Sequence, residues 1–284
     1  MRFFILIKVE VRVLKNELNL ICPSCQIKLE SVAEGNSCRC GFEVKLIAGV
    51  PVLRTVEPDE QLDFYTQEKK LLRGKNSANL AIPRIRNAFE RGDLILELGA
   101  GIDTCDLPNL VKTDAFVYSP ALDYVVDAHS MPFADNTFDF VYSLAVFEHL
   151  HSPWIAAKEI YRVLKPGGKV YILTAFMQHL HGYPYHYFNM TTMGLQRIFS
   201  DFEIIKCVPS PHCSLLQIGR IMEDLSLMTK VMPEDKKAMD LNFHLSEAFK
   251  LIPKIQDKLI EKKENFEFWQ RIAPAVELAA VKPK

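Results

Sequence analysis

The sequence has no surplus of charge of either sign. Its 34 lysines and arginines face 35 aspartates and glutamates, for a net charge of −1. Proteins that live by neutralising phosphate backbones carry a basic excess, so a nucleic-acid partner is not favoured and a small or neutral ligand is. Long apolar runs are missing too. No segment approaches the ~20 apolar residues of a spanning helix. The apolar start, Met1 to Ile7, is broken by Lys8, Glu10 and Arg12 well short of a leader core with its cleavage site. The expectation is a cytoplasmic protein without a membrane span. There are no internal repeats and no low-complexity tract, which excludes a repeat architecture.

What remains is an ordinary globular composition, 49% hydrophobic and 24% charged, in 284 residues. That length holds one large domain plus a small one, or two modest ones. Residues 20–55 gather cysteines with Gly, Ser and Pro. Residues 56–92 are charged and mostly helical in pattern, with Gly92 as a stop signal. From Asp93 onward strands and helices alternate, which predicts a doubly wound, seven-stranded, mostly parallel α/β sheet covered on both faces.

The expected strands are 94–98, 115–118, 124–127, 138–144, 169–174, 202–208 and 275–281. A helix is expected from Pro153 to Leu164, with Ser152 as its cap and Pro153 at its first position. Residues 214–271 are helical in pattern and read as an insertion before the last strand. The division that follows is an N-terminal extension and ribbon over 1–55 and an α/β domain over 56–284. The first dozen residues alternate enough for an edge strand, and equally suit a loose extension.

Seven cysteines in a cytosolic-looking chain do not suggest a disulfide framework. Cys105, Cys207 and Cys213 are scattered and read as packing residues. Cys22-x2-Cys25 and, twelve residues on, Cys38-x-Cys40-Gly41 place four thiolates on two facing turns. This is the ligand set of a closed, structural Zn2+ site, although Cys38-x-Cys40 is one residue tighter than the usual knuckle. The alternative is a degenerate ribbon that packs as a hairpin without metal. Four thiolates leave no open position, so catalytic zinc is not expected.

The chemistry-bearing stretch begins with LILELGAGIDT, residues 94–104: an apolar strand, Glu97, then Gly99 and Gly101. Glycines after a strand let the backbone turn sharply and let a ligand approach the main chain. Alone, this would fit a dinucleotide site nearly as well, but position 104 is Thr where that fingerprint wants a third glycine. A nucleoside at the strand ends needs acceptors for its ribose hydroxyls and adenine amine. Asp114, fifteen residues past Gly99, and Asp127, closing YVVD, are the candidates. Either Asp alone is also an ordinary turn or cap residue.

Beyond Asp127 run DAHSMPFADNTFDFVYSLAVFEHL and PWIAAKEIYRVLKPGGKVYIL. In these motifs the chain resembles the class I S-adenosylmethionine (SAM)-dependent methyltransferases of the type-11 group. The matching pieces are Glu97 to Gly101, Asp127 to Asp139 with Met131 replacing a leucine, Glu148–His149, and Arg162 to Gly168, in the family's order. The resemblance covers about residues 90–208. It implies SAM as cofactor, with Glu97, Gly99 and Gly101 around its methionine part and Asp114 on the ribose. It also implies Asp127, Ala128 and His129 beside adenine, and Ser143, Leu144 and Ala145 beneath the methionyl group. The stretch from Gly101 to Asp127 is shorter than is usual in the family, which bears on Asp114 most. RVLKPGG reads as structural, with Arg162 and Lys165 near a helix end. The cysteine region is similar to short zinc ribbons of methyltransferase-activating proteins.

Methyl transfer is a displacement in which the protein aligns the acceptor and, where needed, takes its proton. Histidine is the natural base, with a reference pKa of ~6.5. His149 follows Glu148. His181, Tyr183 and Tyr187 lie in HLHGYPYHYFNMT after the fifth strand of the motif series. His149, His181 and Tyr183 are the catalytic candidates; alternatively they serve as a loop clasp. The expected partner is a small-molecule, glycan or lipid-linked acceptor methylated at oxygen or nitrogen. The alternatives are RNA methylation with the ribbon reading RNA, and a non-catalytic SAM-binding scaffold.

Overall fold

The computed structural model describes residues 18–55, 82–101, 107–182, 184–211 and 273–284. The expected edge strand near the N-terminus, the helical pattern from 56 to 81, Cys105, Tyr183, Cys213 and the helical insertion at 214–271 lie outside these residues.

The strands are β1 (Lys45–Ile47), β2 (Val50–Leu53), β3 (Ile95–Leu98), β4 (Leu110–Asp114), β5 (Tyr124–Val126), β6 (Phe138–Leu144), β7 (Leu164–Ala175), β8 (Glu203–Pro209) and β9 (Ala275–Val281). The helices are α1 (Pro83–Arg91), α2 (Pro153–Val163) and α3 (Thr192–Ile198). The nine strands among the described residues form one sheet in the order β1-β2-β5-β4-β3-β6-β7-β9-β8. From β5 to β7 the neighbours run parallel, and β9 inserts antiparallel between β7 and β8. The expected seven-stranded sheet is therefore present. A hairpin from the N-terminal region extends it at one edge, where β2 pairs parallel with β5.

Alternation along the central strands buries both faces. Leu96, Leu98 and Val141 pack with α2 residues Ala156, Ile160 and Val163 on one side. Ile95, Phe140 and Tyr142 pack with α1 residues Ile85 and Ala88 on the other. Pro83 starts α1, and Gly92 ends it in the left-handed conformation (φ 77°), its N–H reaching back to the last carbonyls, as a helix-stopping glycine does.

Two local expectations are corrected. The second strand of the α/β unit is Leu110–Asp114, not 115–118. Lys112, Thr113 and Asp114 hide it by breaking the apolar pattern, although all five of its residues are buried. Ser152 precedes α2 but makes no side-chain cap; its hydroxyl meets His151 Nδ1 at 2.9 Å. Arg162 stands in the last turn of α2, near a helix end as expected. Its guanidinium donates to the carbonyls of Phe133 (2.6 Å) and Met131 (2.9 Å) and pairs with Glu159 at 2.7 Å, stapling the 131–133 loop to α2. Lys165 pairs with Asp139, whose other oxygen accepts the Leu94 N–H.

The ribbon packs on the same core as the sheet. Leu20, Cys22, Leu29 and Val44 share a cluster with Leu96 and Phe133. Backbone hydrogen bonds from Ile21 to Pro132 and from Ala134 to Asn19 tie the two regions together at 3.0 Å each.

Candidate active site

The carboxyl ends of β3, β4, β5 and β6 open on a cavity of about 740 Å3. Doubly wound sheets bind ligands there because crossovers leave a crevice where the strand order reverses; here β4 and β6 flank β3.

Gly99 makes the turn out of β3. Its φ of 83° is left-handed, and a Cβ there would stand 2.1 Å from Val146 Cγ2. A side chain at this position would first meet that of Val146. The N–H groups of Gly99 and Ala100 both donate to Thr113 O at 2.9 Å, so the turn is clamped to β4. Gly101 N donates to Asp114 Oδ2 (2.8 Å) and Phe116 N to Oδ1 (3.1 Å). Burial pushes the Asp114 carboxyl up to about 6, against the lowering by these backbone N–H groups.

Asp127 is shaped differently. Its Oδ1 accepts from His129 N at 2.9 Å and faces His129 Nδ1 at 2.7 Å. Burial alone would raise this carboxyl, yet the His129 hydrogen bonds prevail and hold it below its ordinary value. His129 stacks on His151 at 4.0 Å, which gives that end of the cavity an imidazole wall.

Of the expected residues, Gly99, Gly101, Asp114, Asp127, Ala128, His129, Leu144, Ala145 and His149 line the cavity. Glu97 and Ser143 do not. Glu97 is buried within β3, and Ser143 Oγ donates to Leu98 O at 2.9 Å, bracing β6 against β3. Ala145 holds a left-handed φ of 54°, a strained corner for a non-glycine residue at the cavity floor.

Beside the mouth, His149 Nδ1 donates to Tyr185 O at 3.0 Å, and burial lowers its pKa further than Glu148 raises it. His181 lies off the wall, its ring 5.0 Å from that of His149. Residues that sequence reasoning missed include Arg54, Phe116, Tyr118, His151, Tyr185 and Gly182. Arg54 follows β2 of the ribbon hairpin and donates to Ala115 O at 2.8 Å, a contact across 61 residues with no local signal. Tyr185 belongs to the aromatic loop already marked in sequence.

In the ribbon, Sγ of Cys22, Cys25, Cys38 and Cys40 all lie within 4.8 Å of one another. Cys22–Cys40 and Cys25–Cys38 are each 3.5 Å apart. A tetrahedral zinc with Zn–S of ~2.3 Å sets sulfurs ~3.8 Å apart, so the donor set fits that ion. A backbone hydrogen bond from Phe42 lowers Cys40 to about 7. Cys25 is pushed up to about 12 by burial and the other thiols, despite a hydrogen bond from Ile27. Cys207 is half-buried and pushed up to about 11 by burial, consistent with a packing role.

This strand order, with its antiparallel seventh strand and a glycine turn opening on the strand ends, is the class I methyltransferase fold. Residues 100–172 match the family model described as a methyltransferase domain, which bears out the resemblance drawn from the same motifs. Among curated relatives, the ubiquinone/menaquinone biosynthesis C-methyltransferase UbiE of Ruegeria sp. (strain TM1040) is 35% identical over 98 residues, 32% of this chain and 39% of that protein. Sterol 24-C-methyltransferase erg6 of Schizosaccharomyces pombe is 45% identical over 106 residues, 29% and 28% of the two chains. The chain thus spans well under half the length of these relatives. The Haemonchus contortus phosphoethanolamine N-methyltransferase 2 in complex with SAM is a solved structure of similar trace, at 19% identity and TM-score 0.44, covering 82% of this chain and 62% of that one. Among the described residues no helix is long and apolar enough to cross a membrane.

Proposed function

We propose that this protein is a SAM-dependent methyltransferase acting on a small-molecule, glycan or lipid-linked acceptor at oxygen or nitrogen. One observation carries the reading: carboxylates at the ends of adjacent strands, Asp114 and Asp127, share one cavity wall with the Gly99–Gly101 turn. Asp114 lines the cavity and holds backbone N–H groups on both oxygens, and a carboxylate there suits a pair of ribose hydroxyls. Asp127 stays ionised beside His129 and suits the adenine end.

SAM, when bound, supplies the methyl group on a sulfonium that is its own leaving group. The chain's part is to hold the nucleoside, exclude water and align the acceptor. Leu144, Ala145 and Val146 form the floor beyond the glycine turn, and Tyr185 and Tyr187 line the acceptor side. His149 stays neutral near pH 7 and carries its lone pair on Nε2, because Nδ1 must donate to the Tyr185 carbonyl. A cavity of about 740 Å3 falls within the ~300–1,000 Å3 of small-molecule sites, which supports a compact acceptor over an RNA track. We assign the four ribbon cysteines to one structural Zn2+.

Titration calorimetry with SAM and its demethylated product is the test, with one saturable site expected; no heat at millimolar ligand would overturn the reading. Methyl-labelled SAM offered with small-molecule and RNA pools then reads the acceptor. Label in RNA would refute the substrate class, and label on carbon, the atom that the relatives' names specify, would refute the choice of oxygen or nitrogen.

A further inference from the structure

We propose that Glu148, His149 and His181 form a binding site for one divalent first-row transition-metal ion at the mouth of the cavity, separate from the ribbon cysteines. One donor atom from each of the three side chains lies within 4.8 Å of the other two.

Glu148 supplies the independent observation. Its side chain is wholly buried, and Oε2 accepts from Thr174 Oγ1 at 2.7 Å while Oε1 has no hydrogen-bond partner. A carboxylate oxygen out of water and without a donor is costly, and a cation is what offsets that cost. The Tyr187 and Phe188 N–H groups both bind the Glu148 backbone carbonyl, at 2.8 and 3.2 Å, so residues 187–188 are anchored to the Glu148 main chain.

Each of the two imidazoles keeps one nitrogen with a free lone pair. A backbone carbonyl only accepts, so the nitrogen facing it must be protonated. His149 Nδ1 faces Tyr185 O at 3.0 Å and His181 Nδ1 faces His179 O at 2.9 Å. Both rings therefore carry their lone pair on Nε2, oriented by the same kind of carbonyl contact that orients histidine ligands in metal centres. The third ring nearby is set the opposite way. His186 Nδ1 accepts the His181 N–H at 3.0 Å and its Nε2 faces Asn189 Oδ1 at 3.1 Å, which leaves it no lone pair to offer. Rings so close together thus divide into two ligands and one brace.

Two imidazoles and a carboxylate suit Zn2+, Fe2+ or Mn2+, and three protein ligands leave at least one position open. His149 lines the cavity, so that position faces the space assigned to the acceptor, and the ligand class it would take is an oxygen donor, a hydroxyl or carboxylate. This last assignment rests on the methyltransferase reading; the metal site itself does not.

The test uses the full chain, stripped with chelator and titrated with Zn2+. The wild type should bind one equivalent more than His181→Ala, whatever the ribbon holds. Glu148→Gln, which keeps an acceptor for Thr174, should weaken that equivalent at least tenfold. His186→Ala should keep the wild-type stoichiometry. With Co2+, the wild-type minus His181→Ala difference spectrum should lack a thiolate charge-transfer band. Equal stoichiometry in wild type and His181→Ala, a thiolate band in the difference, or loss of the equivalent in His186→Ala alone would overturn the proposal. Binding of the demethylated cofactor, followed in the same samples, reads the fold and the methyltransferase assignment separately.

Discussion

Asp114 makes the apo protein less stable at neutral pH than it needs to be, and the bound cofactor should recover that loss. In the unfolded chain its carboxyl titrates near 3.8; in the fold burial holds it at about 6. Between those values the folded state keeps a proton that the unfolded state has released. Stability from this group is therefore fully present below about pH 3.8 and is lost as pH rises to about 6. A displacement of that size corresponds to about 3 kcal/mol at 1.36 kcal/mol per tenfold. A ligand that donates hydroxyls to Asp114 prefers the ionised form. Its affinity should thus be greatest above pH 6 and about tenfold weaker at pH 5 than at pH 7, since about nine in ten free molecules are then protonated. Asp114→Asn should bind the cofactor poorly at every pH. It should also flatten the part of the apo stability curve between pH 4 and 6, because an amide does not titrate. Calorimetric titration of the demethylated cofactor at half-unit pH steps, beside thermal melts of both apo proteins, reads both effects. Wild-type affinity that stays flat from pH 7.5 to 5 would refute the role of Asp114.

The other expectations are shorter. Gly99→Ala sets a Cβ 2.1 Å from Val146 at a left-handed φ and should cost about 1–3 kcal/mol in a melt, with cofactor binding lost as Val146 is displaced into the cavity. Cys22→Ser should lower the zinc content by about one per chain in elemental analysis. It should also weaken cofactor binding several-fold, because the ribbon carries Arg54 to the Ala115 carbonyl at the cavity wall; unchanged affinity would show that the ribbon is independent of the site. Arg162→Lys should destabilise by about 2 kcal/mol in denaturant titration, since a lysine reproduces neither the two carbonyl contacts nor the fork on Glu159.

The motif run and the alternation of elements were enough to specify the sheet, the glycine turn, Asp127 and the four-cysteine cluster. These are local properties: strand period, a turn that wants a positive φ, and ligand spacing along a short loop. Strands at 138–144 and 275–281 were legible to the residue, because each is apolar or alternating between clear breaks. Leu110–Asp114 was not, because its burial is set by neighbours on both sides and not by its own composition. The docking of the ribbon hairpin on β5 was equally invisible, since parallel pairing between residues some 70 apart leaves no local trace. Only the tertiary structure decided that Ser143 braces two strands, that Arg54 reaches the cavity, and which histidine nitrogens keep their lone pairs. Each depends on which backbone carbonyl happens to stand opposite, a matter of packing across the chain and not of the order of residues along it.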